Sequence, residues 1–241
     1  MNRLLCSSAI RRQVPQVASL YMKGTASRLP SMAQKLAPQP TNRCFSALAD
    51  ILKREHTEEI DNNTTEMPPD LSDVKTALEQ EEGWKIVDDG ALTKLYRTLS
   101  NGSKVQIAFH CQDTVEDVEG CIEDDGYAGD EAAVPIRFHV AVTKAGKTLA
   151  MTCLTTEDLS ASIQSVAVTG QLQDDYLVAA SDYQGPEFVE LAEDLQESFH
   201  DFLLDDIGVS ENVVSFLSMY CDFKEQTEYV KFLSEARNLV K

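Results

Sequence analysis

The sequence predicts an α+β fold, an antiparallel sheet of about seven strands with one short helix before it and two helices after it. Three observations carry this expectation. Apolar and polar residues alternate through the middle of the chain, the strand-like runs are joined by connections too short for crossovers, and the apolar period changes to three and four near residue 185. The 241 residues are 43% apolar and 25% charged, enough for one globular domain with a sizeable core.

A helical pattern begins at Ser46, places Leu48, Ile51, Leu52 and Ile60 near one face, and stops around Asn62. Residues 62–70, with Thr64, Thr65, Pro68 and Pro69, read as a polar linker. Strand-like runs then cover residues 84–87, 92–99, 105–111, 134–142, 148–155, 162–168 and 176–180. The alternation points Val105, Ile107, Phe109 and Cys111 inward and Gln106, Ala108, His110 and Gln112 outward. It likewise sets Val134, Ile136, Phe138, Val140 and Val142 against Arg137, His139, Ala141 and Thr143. Asn101-Gly102 is the stronger type I′ hairpin signal, and Ala145-Gly146 the weaker.

Gly185-Pro186 opens the helical region, since proline suits a first turn where its missing N–H has no partner to lose. Phe188, Leu191, Leu195, Phe199, Phe202 and Leu203 form an apolar stripe opposite a row of acids, and Gly208 ends that helix. Ser210 caps a second, whose stripe contains Val213, Leu217, Tyr220, the aliphatic stem of Lys224, Phe232 and Leu233. The two helices cover one face of the sheet. The helix at Ser46 cannot bury its stripe alone, so it is expected against this pair.

Charge narrows the function. The 21 basic and 40 acidic residues give a formal charge of −19, whereas proteins that track phosphates rely on Lys and Arg. Basic proteins are the natural partners. Residues 1–45 hold seven Lys or Arg and no Asp or Glu, and their Ser and Ala content resembles a mitochondrial transit peptide. Arg43-Cys44-Phe45-Ser46 resembles a matrix-peptidase cleavage pattern at the composition break, so the predicted division is a transit peptide over 1–45 and an acidic domain over 46–241. No uninterrupted apolar run reaches membrane-spanning length.

Acids concentrate where bases are missing. No Lys or Arg occurs over residues 148–223, and a second acid cluster fills residues 113–131. The candidate partner-binding residues are Glu116, Asp117, Glu119, Glu123, Asp124 and Asp125 in the first cluster. Glu190, Glu193, Asp194, Glu197 and Asp201 complete the set. Such carboxylates would capture cationic segments by electrostatic complementarity, with salt-sensitive association.

No phosphate-loop, dinucleotide, nucleophile-elbow or zinc-protease motif occurs. The six cysteines, at 6, 44, 111, 121, 153 and 221, lack metal-ligand spacing and read as reduced structural thiols. His110 and His139 fall on polar strand faces, where they could be neighbours, and as neighbours they read as a solvated cross-strand pair rather than a catalytic one. Aligning Gly126 with the sixth position of an EF-hand loop puts Cys121 and Ala132 where carboxylates are required, so that match fails. No catalytic residue, metal or cofactor is assigned.

Tyr183-Gln184-Gly185-Pro186-Glu187-Phe188, followed by Leu191, Leu195-Gln196 and Phe199, forms one recognisable element. Lys224-Glu225-Gln226-Thr227-Glu228-Tyr229 with Phe232-Leu233 forms another. Together they resemble the mitochondrial glycoprotein family, acidic matrix proteins also described as complement-receptor-like, over about residues 46–241. The resemblance implies a seven-stranded, highly twisted antiparallel sheet and a ring-shaped homotrimer with an asymmetric acidic surface. It also implies non-enzymatic, chaperone-like binding of diverse basic proteins, in support of mitochondrial RNA metabolism, translation and respiration. Phe232 stands where many relatives carry Trp.

The leading expectation is therefore a trimeric, non-enzymatic matrix adaptor for basic segments of RNA-binding or ribosomal proteins, touching RNA only indirectly. The alternative is direct RNA binding through Lys85, Lys94, Arg97, Lys104, Arg137, Lys144 and Lys147, gathered into a patch by oligomerisation. An enzyme would need convergent titratable groups that no spacing announces.

Overall fold

A computed structural model describes residues 42–62, 66–115, 134–174 and 176–241, with side chains from Ala47 onward. Six strands follow one another in space as in sequence: β1 (Lys85–Asp89), β2 (Leu92–Thr98), β3 (Lys104–Thr114), β4 (Ile136–Lys144), β5 (Lys147–Thr155) and β6 (Ala161–Thr169). Every neighbouring pair is antiparallel, which makes the sheet a meander. The expected alternation holds on its inner face, where Val105, Ile107, Phe109, Cys111, Ile136, Phe138, Val140 and Val142 are buried. Val134 does not join them: β4 starts at Ile136 and Val134 is half exposed.

The seventh strand is not in this sheet. Residues Leu172–Gln173 (β7) and Leu177–Val178 (β8) pair with each other in a separate two-stranded hairpin. The place a seventh strand would take, along the free edge of β6, is held by the segment around Gly185, through a bridge between Ser165 and Glu187. The Thr169 hydroxyl, donating to the Gln171 carbonyl and to Asp182, turns the chain aside as β6 ends.

The turns exchange roles. Ala145 and Gly146 both have positive φ, 51° and 77°, as a two-residue type I′ hairpin requires. At the other site only Gly102 does, at 80°. There Leu99 and Ser103 close a longer loop, and the Asn101 side chain accepts from the Ser103 amide. Asn in this place serves an Asx turn rather than a left-handed backbone.

Residues 62–70 are not linker throughout. Helix α2 (Pro69–Gln80) begins there, with Pro at its first position and Leu71 and Leu78 buried. The spacing Leu71, Val74, Leu78 is the helical signal, compressed between prolines and a run of acids. Helix α1 (Asn42–Asn62) starts four residues earlier than Ser46 and packs along α4 (Glu211–Leu239), where Gln226 donates to Glu59. Its stripe is not buried: Leu48, Ile51 and Ile60 stay exposed, because α4 covers only part of its circumference.

Helix α4 crosses the inner face of the sheet. Its Ser210 hydroxyl caps the N-terminus by accepting from the Val213 amide, and Glu82 holds this end to the chain before β1 by accepting from the Ser210 and Asn212 side chains. Phe216 and Tyr220 stack on each other and meet Phe109 edge-on. Of the expected stripe, Val213, Leu217, Tyr220 and Leu233 are buried, whereas Phe232 is 57% exposed and stacks on Tyr229. Among the described residues no helix is long and apolar enough to cross a membrane.

A carboxylate-lined face as candidate interaction site

The expected single helix after Pro186 is three pieces. A 3-10 turn at Phe188–Glu190 is followed by extended backbone at Leu191 and Ala192, then by α3 (Glu193–Asp201), which widens into a π-helical stretch at Phe202–Ile207. The break is held by Gln196, whose amide donates to the carbonyls of Val189 and Leu191. Gln196 thus takes the inward position that the stripe gave to Leu195, and Leu195 is exposed. Gly208, at φ 83°, ends the run with its N–H on the Leu203 carbonyl.

Two contacts fix this segment to the sheet. Gly185 lies so close to β6 that a Cβ would sit 1.9 Å from the Val166 carbonyl oxygen. Phe188 is buried, against Phe199 and edge-on to His200. The motif around Gly185-Pro186 is therefore architectural: glycine permits the approach, and Phe188 anchors the acidic helix that follows. Arg97 secures the far end. Its guanidinium lies over the ring of Trp84 and donates to the Ile207 carbonyl at the helix C-terminus, where the backbone dipole favours a cation.

The second motif is architectural as well. The Lys224 side chain is buried along its length as expected, and its ammonium lies 3.4 Å from Asp88 and 3.9 Å from Glu228. Asp88 also accepts from the Tyr220 hydroxyl at 2.7 Å and from Thr93 at 2.9 Å. Burial pushes the Asp88 carboxyl upward, but those hydrogen bonds and the Lys224 charge outweigh it and hold the group below its ordinary range.

Glu190, Glu193, Asp194, Glu197 and Asp201 are all exposed on this anchored segment. Glu193, Glu197 and Asp201 recur every four residues and share one side of α3. Asp205 and Asp206, which the sequence reading did not single out, extend the acidic surface along the π-helical stretch. Among the described residues none of these carboxylates is in an ion pair. Glu116, Asp117, Glu119, Glu123, Asp124 and Asp125 lie outside the described residues. The described chain on either side of them, Val115 and Val134, lies at the sheet end at which β5 passes into the turn at 156–160.

That turn carries a further carboxylate, Asp158, held by the hydroxyls of Thr156 and Ser160, which keep it below the ordinary carboxylate range. With the π-helical stretch it encloses a groove. The sequence signal for it was the acidic pair Glu157-Asp158 between two strand runs, silent until the turn meets residues 200–211.

Three of the seven basic residues of the alternative reading are engaged or buried, and four are exposed. Arg97 is used as described, Arg137 is paired with Asp113 at 2.7 Å, and Lys94 is buried. Lys104, Lys144 and Lys147 are exposed at the sheet end opposite the 156–160 turn, and Lys85 is exposed on β1. His110 and His139 do not form the expected pair. Ala108 stands opposite His139, whose ring packs on Tyr176 and whose burial lowers its pKa. Cys111, Cys153 and Cys221 are free and buried, and burial raises each thiol, Cys221 to about 12. Among the described residues no cluster suited to a metal ion occurs.

A helix-flanked antiparallel meander with an unpaired acidic face defines the class. The family model described as mitochondrial glycoprotein matches residues 52–240, and the chain belongs to that family. The fold is similar to the crystal structure of the Trypanosoma brucei p22 protein, with a TM-score of 0.60 at 20% identity, covering 82% of this chain and 99% of that one. It is also similar to a Leishmania major protein of unknown function described as a sequence homologue of human p32 protein. There the TM-score is 0.57 at 18% identity, with the same coverage. Membership points to the mitochondrion.

Proposed function

We propose that the chain is a non-enzymatic adaptor of the mitochondrial matrix whose acidic face captures basic segments of RNA-binding or ribosomal proteins. The observation that carries this reading is the run of exposed, unpaired carboxylates from Glu190 to Asp206, on a segment fixed to the sheet at Gly185 and Phe188. A field held on rigid backbone attracts cations without first ordering its own charges. In this reading residues 1–45 are a transit peptide, residues 46–241 are the working domain, and the six carboxylates between residues 116 and 125 add to the same field. The domain acts as a homotrimer, for which the exposed apolar residues of α1 and α4, among them Ile51 and Phe232, supply contact surface.

Affinity capture from mitochondrial extract over a salt series, with and without ribonuclease, tests the proposal. Partners lost with salt and kept after ribonuclease support it. Partners lost only after ribonuclease indicate an RNA bridge and contradict it.

A further inference from the structure

The groove between the 156–160 turn and the π-helical stretch encloses about 470 Å³, within the ~300–1,000 Å³ usual for ligand sites. Its floor is apolar, formed by Ala161, Leu203 and Val209. Two leucines stand at its rim in contact with water, Leu159 at 41% exposure and Leu204 at 56%. Leu159 has φ 59°, a left-handed conformation that costs a branched side chain steric strain. Around these leucines stand the carboxylates of Asp158, Asp201 and Glu211, and no Lys or Arg lines the groove.

We propose that this groove seats one leucine-sized apolar side chain of a cationic partner segment, whose flanking arginines or lysines lie on Asp158, Asp201 and Glu211. The inference rests on the adaptor reading and sharpens it. A surface that worked by charge alone would need no apolar floor, and the floor offers nothing to a phosphate backbone. The carboxylates repel nucleic acid and a second copy of this acidic face alike, while they complement a cationic peptide. The groove thus turns a general attraction for basic chains into a preference for basic chains interrupted by an apolar residue.

The test uses the full chain and two fluorescent peptides, one with a central leucine between arginines and one with serine in its place. Burying the leucine is expected to tighten binding by about tenfold, read by anisotropy at physiological ionic strength. Leu204→Ser, at an exposed position, should abolish that ratio. The double variant Glu193→Gln, Glu197→Gln should weaken both peptides and leave the ratio unchanged. A photoreactive leucine analogue at the peptide centre should cross-link the unmodified chain at Leu159 or Leu204. A ratio near one, a ratio indifferent to Leu204→Ser, or cross-links elsewhere overturns the groove assignment while salt-sensitive binding of both peptides keeps the adaptor reading. Failure of both peptides to bind overturns both.

Discussion

At Asp88 one carboxylate joins strand β1 to helix α4 by accepting from Tyr220 and Thr93 and facing the Lys224 ammonium. Asp88→Asn removes the charge that Lys224 needs, and is expected to cost about 1–2 kcal/mol after allowance for the solvent that reaches the group. Because the folded carboxyl is held below its unfolded value, the stabilisation is complete above about pH 4 and fades as pH falls through the lower folded value. Denaturant midpoints of the two proteins, followed by the fluorescence of the single tryptophan, buried Trp84, should therefore differ at pH 7 and converge in acid. Ala145 offers the opposite case. Its φ of 51° suits Asn better than Ala, so Ala145→Asn should stabilise by about 1 kcal/mol, visible as a rise in Tm. Such details were only half legible in the sequence. Lys224 was visible as a stripe residue, but its ion pair requires Asp88, a partly solvated residue far away in sequence that pairs only once the sheet is built.

Among the elements, the sheet was the most legible, because alternation along β3 and β4 survives any tertiary arrangement that leaves one face buried. The seventh strand was misplaced for a reason that periodicity does not carry. The edge of β6 is taken by Glu187, brought there by the approach of Gly185 to Val166. Helix α2 was hidden because Pro69 reads as a breaker as readily as a first-turn residue. The acidic helix was read in the right place but as one piece, since the hydrogen bonds of Gln196 that hold its break are not an apolar pattern. Gly185→Ala tests the anchor. A methyl group in that left-handed, close-packed position should cost about 3 kcal/mol and release the segment from β6. Amide exchange should then rise over residues 183–207 and stay unchanged in β3 and β4, whereas uniform exchange across the sheet would contradict a local anchor.

For the whole molecule, the acidic balance and its uneven distribution are legible in the sequence, and five of the eleven candidate carboxylates fall on a described, exposed surface without ion pairs. What charge counting could not show is concavity. The groove exists because the 156–160 turn meets the π-helical stretch, two segments about forty residues apart in sequence. A field of this sign acts over a screening distance of roughly 8 Å at physiological ionic strength. Partner association should accordingly slow steeply as salt is raised, with dissociation changing less, in stopped-flow measurements. The most direct test replaces Glu116, Asp117, Glu119, Glu123, Asp124, Asp125, Glu190, Glu193, Asp194, Glu197 and Asp201 by their amides and repeats the capture, with sedimentation confirming an unchanged assembly. The account predicts that the basic partners are lost; their full retention on an intact assembly would contradict it.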